Sequence, residues 1–111
     1  MVETKVANDE LDPATVKSNE VIRVVTEDET FHLVATDAKR LSFIFLSRSG
    51  KKVGRLIGTS LRGCLGCGVL RVGGRMKVEF EEEDASLFES ARIQTVSVFK
   101  DQFLTFRLIA A

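Results

Sequence analysis

From Val69 to Glu81 the chain leaves little freedom in local structure. Four residues with strand character, Val69 to Val72, lead into Gly73-Gly74. Arg75 to Glu81 then alternates without a break, with Met76, Val78 and Phe80 on one side and Arg75, Lys77, Glu79 and Glu81 on the other. A period of two marks a half-buried strand, because successive side chains of an extended chain point to opposite faces. A Gly-Gly pair between two such runs supplies the positive φ angles of a two-residue turn, so the segment predicts a hairpin.

The same grammar recurs along most of the chain. Val21 to Thr26 and Phe31 to Ala35 are rich in β-branched and apolar residues and are separated by Glu27-Asp28-Glu29, which predicts another hairpin. Leu41 to Leu46 is apolar enough for a strand buried on much of both faces, and Ser49-Gly50-Lys51 marks a turn after it. Val53 to Gly58 reads as a glycine-containing strand, and Gly63, Gly66 and Gly68 make the next stretch a tight bend. After the acidic run Glu81 to Asp84, Ala91 to Phe99 and Phe103 to Ile109 read as strands around a Lys100-Asp101 turn. Near the start, Asp12-Pro13 places an N-cap residue before a proline at a first helical position, which predicts a short helix.

Short strands at this spacing, with no long helical period between them, predict an all-β fold, a small antiparallel β-barrel of Greek-key type. Residues 1–19 form a tail or short helix and residues 20–111 the single barrel domain. With 111 residues, 44% of them hydrophobic and eight of them Phe, the chain has enough apolar material for one core. The uncharged run Leu41 to Ser47 is far short of the ~20 apolar residues that cross a bilayer, and two cysteines are too few for a disulfide scaffold. The expected location is the cytoplasm.

The formal net charge of zero conceals a segregated pattern. Up to Asp37 there are nine acidic and three basic residues. From Ala38 to Val78 there are ten basic residues and no acidic one. From Glu79 onward seven acidic residues accompany three basic ones. Gathered on one face, the middle block would present a strong positive potential suited to phosphate, nucleic acid or an acidic protein. Interleaved with the acidic strands, it would be neutralised across the sheet.

No catalytic constellation is visible. His32 is the only histidine and lies in a predicted strand with no motif around it. No serine sits in a nucleophile elbow or triad pattern. Cys64-Leu65-Gly66-Cys67 is a CxxC, but with His32 it supplies three ligands where a structural zinc needs four, and its glycine-rich flanks do not suit a redox helix. The pair reads as two small buried residues at a bend. The expectation is a binding protein without metal or cofactor.

Lys39-Arg40 stands immediately before the strand at Leu41. About twenty residues on comes Gly58-Thr59-Ser60-Leu61-Arg62-Gly63, followed by Gly73-Gly74 and the alternating strand. This order resembles PilZ domains, small bacterial β-barrels that bind cyclic di-GMP, whose pattern is an RxxxR pair, a (D/N)xSxxG motif and a glycine turn. The resemblance covers roughly Lys39 to Phe106. It places Arg40 at the second arginine and Ser60 and Gly63 at the serine and glycine of the second motif; Thr36 and Gly58 stand where the family has arginine and Asp or Asn. It implies a signalling module that binds cyclic di-GMP through Lys39, Arg40, Ser60 and Gly63, with Arg48, Arg55 and Arg62 as further phosphate contacts. The two missing residues favour an alternative, a PilZ-like or flagellar-brake N-terminal-like barrel that binds a partner protein rather than a nucleotide. A third reading, an RNA-binding barrel, fits the cationic block but lacks Tyr and Trp for stacking.

Overall fold

The computed structural model describes residues 10–17, 20–48, 50–81 and 87–100, and the backbone of residues 2–5. Ten strands are defined: β1 (Val2–Lys5), β2 (Glu10–Leu11), β3 (Glu20–Thr26), β4 (Thr30–Asp37), β5 (Ser42–Ser47), β6 (Gly50–Leu61), β7 (Cys64–Cys67), β8 (Leu70–Arg71), β9 (Arg75–Phe80) and β10 (Leu87–Lys100). All their pairings are antiparallel.

Six of them close on themselves. β3 pairs β4, β4 pairs β5, β5 pairs β6, β6 pairs β9, β9 pairs β10, and β10 returns to β3. The main-chain bonds at β10 show the closure directly. Ile93 exchanges hydrogen bonds with Gly73 and Gly74 on one side, while the carbonyl of Arg92 accepts from Glu27 on the other. The expected all-β barrel is therefore present. Its connectivity is a meander, since neighbours round the ring follow chain order, and this differs from the Greek key expected. After β6 the chain folds back on it as β7, pairs with β2 as β8 and returns beside β6 as β9.

Alternation decides what the ring encloses. Ile22, Val24, Phe31, Leu33, Phe43, Phe45, Leu56, Met76, Val78, Ile93, Val96 and Val98 form one buried cluster, which Val16 and Leu70 join from outside the ring. Phe31, Phe88, Phe80 and Phe45 make a chain of aromatic contacts with successive centroids 5.9, 5.6 and 5.6 Å apart. Such pairs add about 0.5–1.5 kcal/mol each beyond their area.

The hairpin expected across Gly73-Gly74 is not formed. β8 pairs with β2, while both edges of β9 are taken by β6 and β10, which bury Met76 and Val78 between them. The two glycines make a corner instead. Gly73 has φ +90°, and a Cβ on Gly74 would lie 2.4 Å from Thr59 Cγ2. Asp12 does cap a turn as expected, accepting a hydrogen bond from the Ala14 amide at 3.1 Å, but the turn is a single 3-10 turn, Pro13–Thr15. The predicted strand Phe103 to Ile109 and most of the acidic run after Glu81 lie outside the described residues.

Candidate functional site

The basic block does not survive folding as one patch. Five of its cations meet carboxylates from the flanking acidic segments: Arg40 with Asp37 (3.6 Å), Arg48 with Glu29 (3.5 Å), Arg55 with Glu79 (3.9 Å), Arg71 with Glu10 (3.2 Å) and Lys77 with Glu89 (3.5 Å). These contacts are largely exposed and contribute little to stability, but they cancel much of the local field.

The sequence-derived site residues then divide between two clefts. Lys39, Arg40 and Arg55 line one of about 380 Å³, with Leu41, Leu56, Ile57, Cys67 and Gly68. Ser60, Arg62 and Gly63 line another of about 560 Å³, with Leu61, Val72, Gly73, Arg75 and Arg92. Arg48 belongs to neither and faces Glu29. In the first cleft two of the three cations are already paired. In the second, no carboxylate lines the walls, and Arg62, Arg75 and Arg92 have no carboxylate partner among the described residues.

The second cleft is built by strand register. Ser60 of β6 stands opposite Arg75 of β9, and Arg75 stands opposite Arg92 of β10, so serine and two guanidinium groups form one row across three strands. A one-residue bulge between Glu89 and Arg92 sets this pairing. At the bulge Ser90 is buried, its hydroxyl accepts from the Met76 amide at 2.9 Å, and its carbonyl accepts from Arg75 at 3.4 Å. Like charges directly opposite each other on a sheet are destabilising. Here the pair has no carboxylate partner among the described residues.

Arg62 completes the cleft from the tight turn between β6 and β7. Its φ is +52° and that of Gly63 is +79°. Two successive positive φ values are those of a type I′ turn, which Asn, Asp and Gly favour; an arginine there costs ~1 kcal/mol in backbone strain. Gly63 and Gly73 are both exposed, and a Cβ on either would meet nothing closer than 4.0 Å, so the backbone is open to a ligand. Three strong donors in fork geometry, one hydroxyl, two open turns and the apolar side chains of Leu61 and Val72 suit an anion joined to an apolar or aromatic group.

Arg75 and Arg92 were not among the residues picked out from the sequence. Arg75 was visible on the polar face of the alternating strand, but Arg92 belongs to an acidic region, and only the bulged β9–β10 register brings the two together.

The remaining candidates behave structurally. His32 is half-buried and its Nε2 accepts a hydrogen bond from Arg23 Nε at 3.2 Å; burial, and then the Arg23 charge, hold its pKa below the ordinary imidazole value. Cys64 and Cys67, expected to be buried at a bend, are exposed on β7. Residues three apart on a strand point to opposite faces, so this CxxC is not arranged to chelate a metal or close a disulfide. Among the described residues no three potential metal ligands come together, and no helix is long and apolar enough to cross a membrane. No protein-family model matches the chain, and no curated protein or solved structure matches it significantly.

Proposed function

We propose that this chain is a PilZ-like, non-enzymatic binding module for a phosphodiester dinucleotide of the cyclic di-GMP type, held in the cleft of Ser60, Arg62, Gly63, Arg75 and Arg92. The observation that carries the reading is the row Ser60–Arg75–Arg92, which sets two guanidinium groups side by side with no carboxylate partner among the described residues. A bound phosphodiester supplies the missing negative charge, and an arginine that is not engaged by phosphate can read guanine O6 and N7 bidentately. The volume of about 560 Å³ lies within the usual range for small-molecule sites, ~300–1,000 Å³. Ligand binding would order the Arg62-Gly63 and Gly73-Gly74 turns and so change the surface offered to a partner.

A single-stranded RNA is a poorer fit. Every described phenylalanine is buried or half-buried, so none of the described aromatics offers an exposed platform beside the cations. The test is isothermal titration with cyclic di-GMP, with GMP, cyclic di-AMP and a short RNA as comparisons, each at low and moderate salt. Saturable binding that prefers cyclic di-GMP supports the proposal. Binding only to RNA, weakening steeply with salt, would replace it with the nucleic-acid reading. Heat from none of the four ligands would reject it and leave the protein-interaction module.

A further inference from the structure

The inward-facing positions of the ring do not all carry apolar residues. Glu29 lies two residues before the buried Phe31, and Lys52 four residues before the buried Leu56, so both take the inward parity of their strands. With Phe31, Phe45, Phe80 and Phe88 they line a cavity of about 50 Å³. It shares no residue with the arginine cleft and lies toward the other ends of β6 and β9, which run from Lys52 to Ser60 and from Phe80 back to Arg75. The inference is therefore independent of the nucleotide reading.

The turn between β3 and β4 fixes the carboxylate. The buried Thr26 hydroxyl donates to the Glu29 carbonyl at 2.7 Å and accepts from the Glu29 amide at 3.2 Å. The Glu29 side chain is only 13% exposed, and its Oε2 is buried without a hydrogen-bond partner. Arg48 Nε approaches that oxygen to 3.5 Å without making a hydrogen bond, from a side chain that is 71% exposed. A buried carboxylate oxygen with no donor is costly, so a donor reaching it from within the cavity is favoured.

The walls favour a cation as well. Aromatic rings carry negative faces, and the Lys52 ammonium already lies 5.2 Å from the Phe80 centroid. Lys52 is exposed and leaves the Glu29 oxygen unmet. At ~10–15 Å³ for each water-sized group, about 50 Å³ holds ~3–5 of them. We propose that this cavity binds a small primary alkylammonium group, with an ammonium N–H donating to Glu29 Oε2 and the methylenes lying against the phenylalanine rings. An anion would be repelled by the buried carboxylate, and a neutral alcohol of the same size would gain nothing from the ring faces. Free amines and lysine side chains both carry the group, and the test separates them.

The ring protons of Phe31, Phe45, Phe80 and Phe88 in the full chain are followed by NMR at constant ionic strength as each of four probes is added. The probes are n-propylammonium chloride, 1-propanol, sodium propionate and N-acetyl-lysine methylamide. n-Propylammonium should bind in the millimolar range, as its few heavy atoms allow, and at least ~5-fold more tightly than 1-propanol. Glu29→Gln should remove that preference, and Lys52→Gln, which takes away the resident cation, should strengthen ammonium binding, with thermal melts showing that both variants fold. Tighter binding of the lysine derivative identifies a lysine-bearing peptide as the source, and tighter binding of n-propylammonium a free amine. Propanol or propionate binding as tightly as n-propylammonium overturns the proposal. So does a preference that survives in Glu29→Gln, or an absence of ring shifts well above the millimolar range.

Discussion

Replacing Arg92 by Gln should make the ligand-free protein more stable and the ligand-binding protein weaker. Arg92 faces Arg75 directly across the β9–β10 ladder, and neither has a carboxylate partner among the described residues. Opposed cross-strand residues have Cβ atoms ~4.5–5.5 Å apart, and like charges at that spacing cost within the range of ~0.2–1 kcal/mol. Coulomb's law gives ~0.8 kcal/mol for unit charges ~5 Å apart in water, before screening by salt. A relief of ~0.5 kcal/mol raises the Tm of a domain near this size by ~2–4 °C. Arg92 is the better choice for this test because Arg75 also donates to the Ser90 carbonyl, so removing Arg75 would disturb the bulge as well. The gain should fade toward 1 M salt, where the screening length shrinks to ~3 Å. Affinity for a phosphodiester should move the other way, falling ~10–150-fold for the loss of one charge-assisted contact worth ~1.5–3 kcal/mol. Differential scanning calorimetry of both proteins at low and high salt, paired with titration calorimetry, reads all of these. A ligand-free variant that melts below the parent, or one that binds with undiminished affinity, would refute the reasoning.

Gly58 stands where the PilZ pattern has Asp or Asn, yet a Cβ there would lie 2.2 Å from the Gly66 carbonyl oxygen. Gly58→Asn should therefore destabilise the fold by ~2 kcal/mol or more in chemical denaturation, with no gain in nucleotide affinity. The buried Thr59 hydroxyl donates to the Val69 carbonyl at 2.7 Å and accepts from the Arg71 amide at 3.3 Å, anchoring the β7–β8 excursion to β6. Thr59→Val keeps the shape but leaves both groups unpaired, and should cost ~1–3 kcal/mol by urea unfolding. His32 is held neutral by burial and by Arg23, so its folded pKa lies below the unfolded value of 6.5. Its contribution to stability is complete above pH 6.5 and is lost as the pH falls through the folded value; His32→Gln should remove that part of the slope between pH 7.5 and pH 5.

The strands were legible where one face is apolar. The Val21–Thr26 and Phe31–Ala35 hairpin, the Leu41–Leu46 strand and the alternating Arg75–Glu81 strand all appear close to their expected bounds as β3, β4, β5 and β9. Their side chains state which face is buried, and that is local information. Pairing is not local. Gly73-Gly74 carries the signature of a hairpin but makes a corner, because both edges of β9 are taken by β6 and β10 while β8 pairs with β2. Charge pairing was hidden for the same reason. The basic block looked continuous along the chain, but register hands Arg40, Arg48, Arg55, Arg71 and Lys77 to carboxylates from other segments. It also brings Arg92 to Arg75 through a bulge at Ser90 and Ala91 that no residue pattern announces. The CxxC misled in the opposite sense: cysteines are most often buried, and these are exposed on β7, which among the described residues pairs only with β6.

The most direct measurement is a two-dimensional amide spectrum of the labelled protein titrated with cyclic di-GMP. The account predicts saturating shifts confined to the amides of Ser60 to Gly63, Gly73 to Arg75 and Arg92, and their disappearance in Arg92→Gln. Shifts centred on Lys39, Arg40 and Gly68, or no shifts at millimolar ligand, would contradict it.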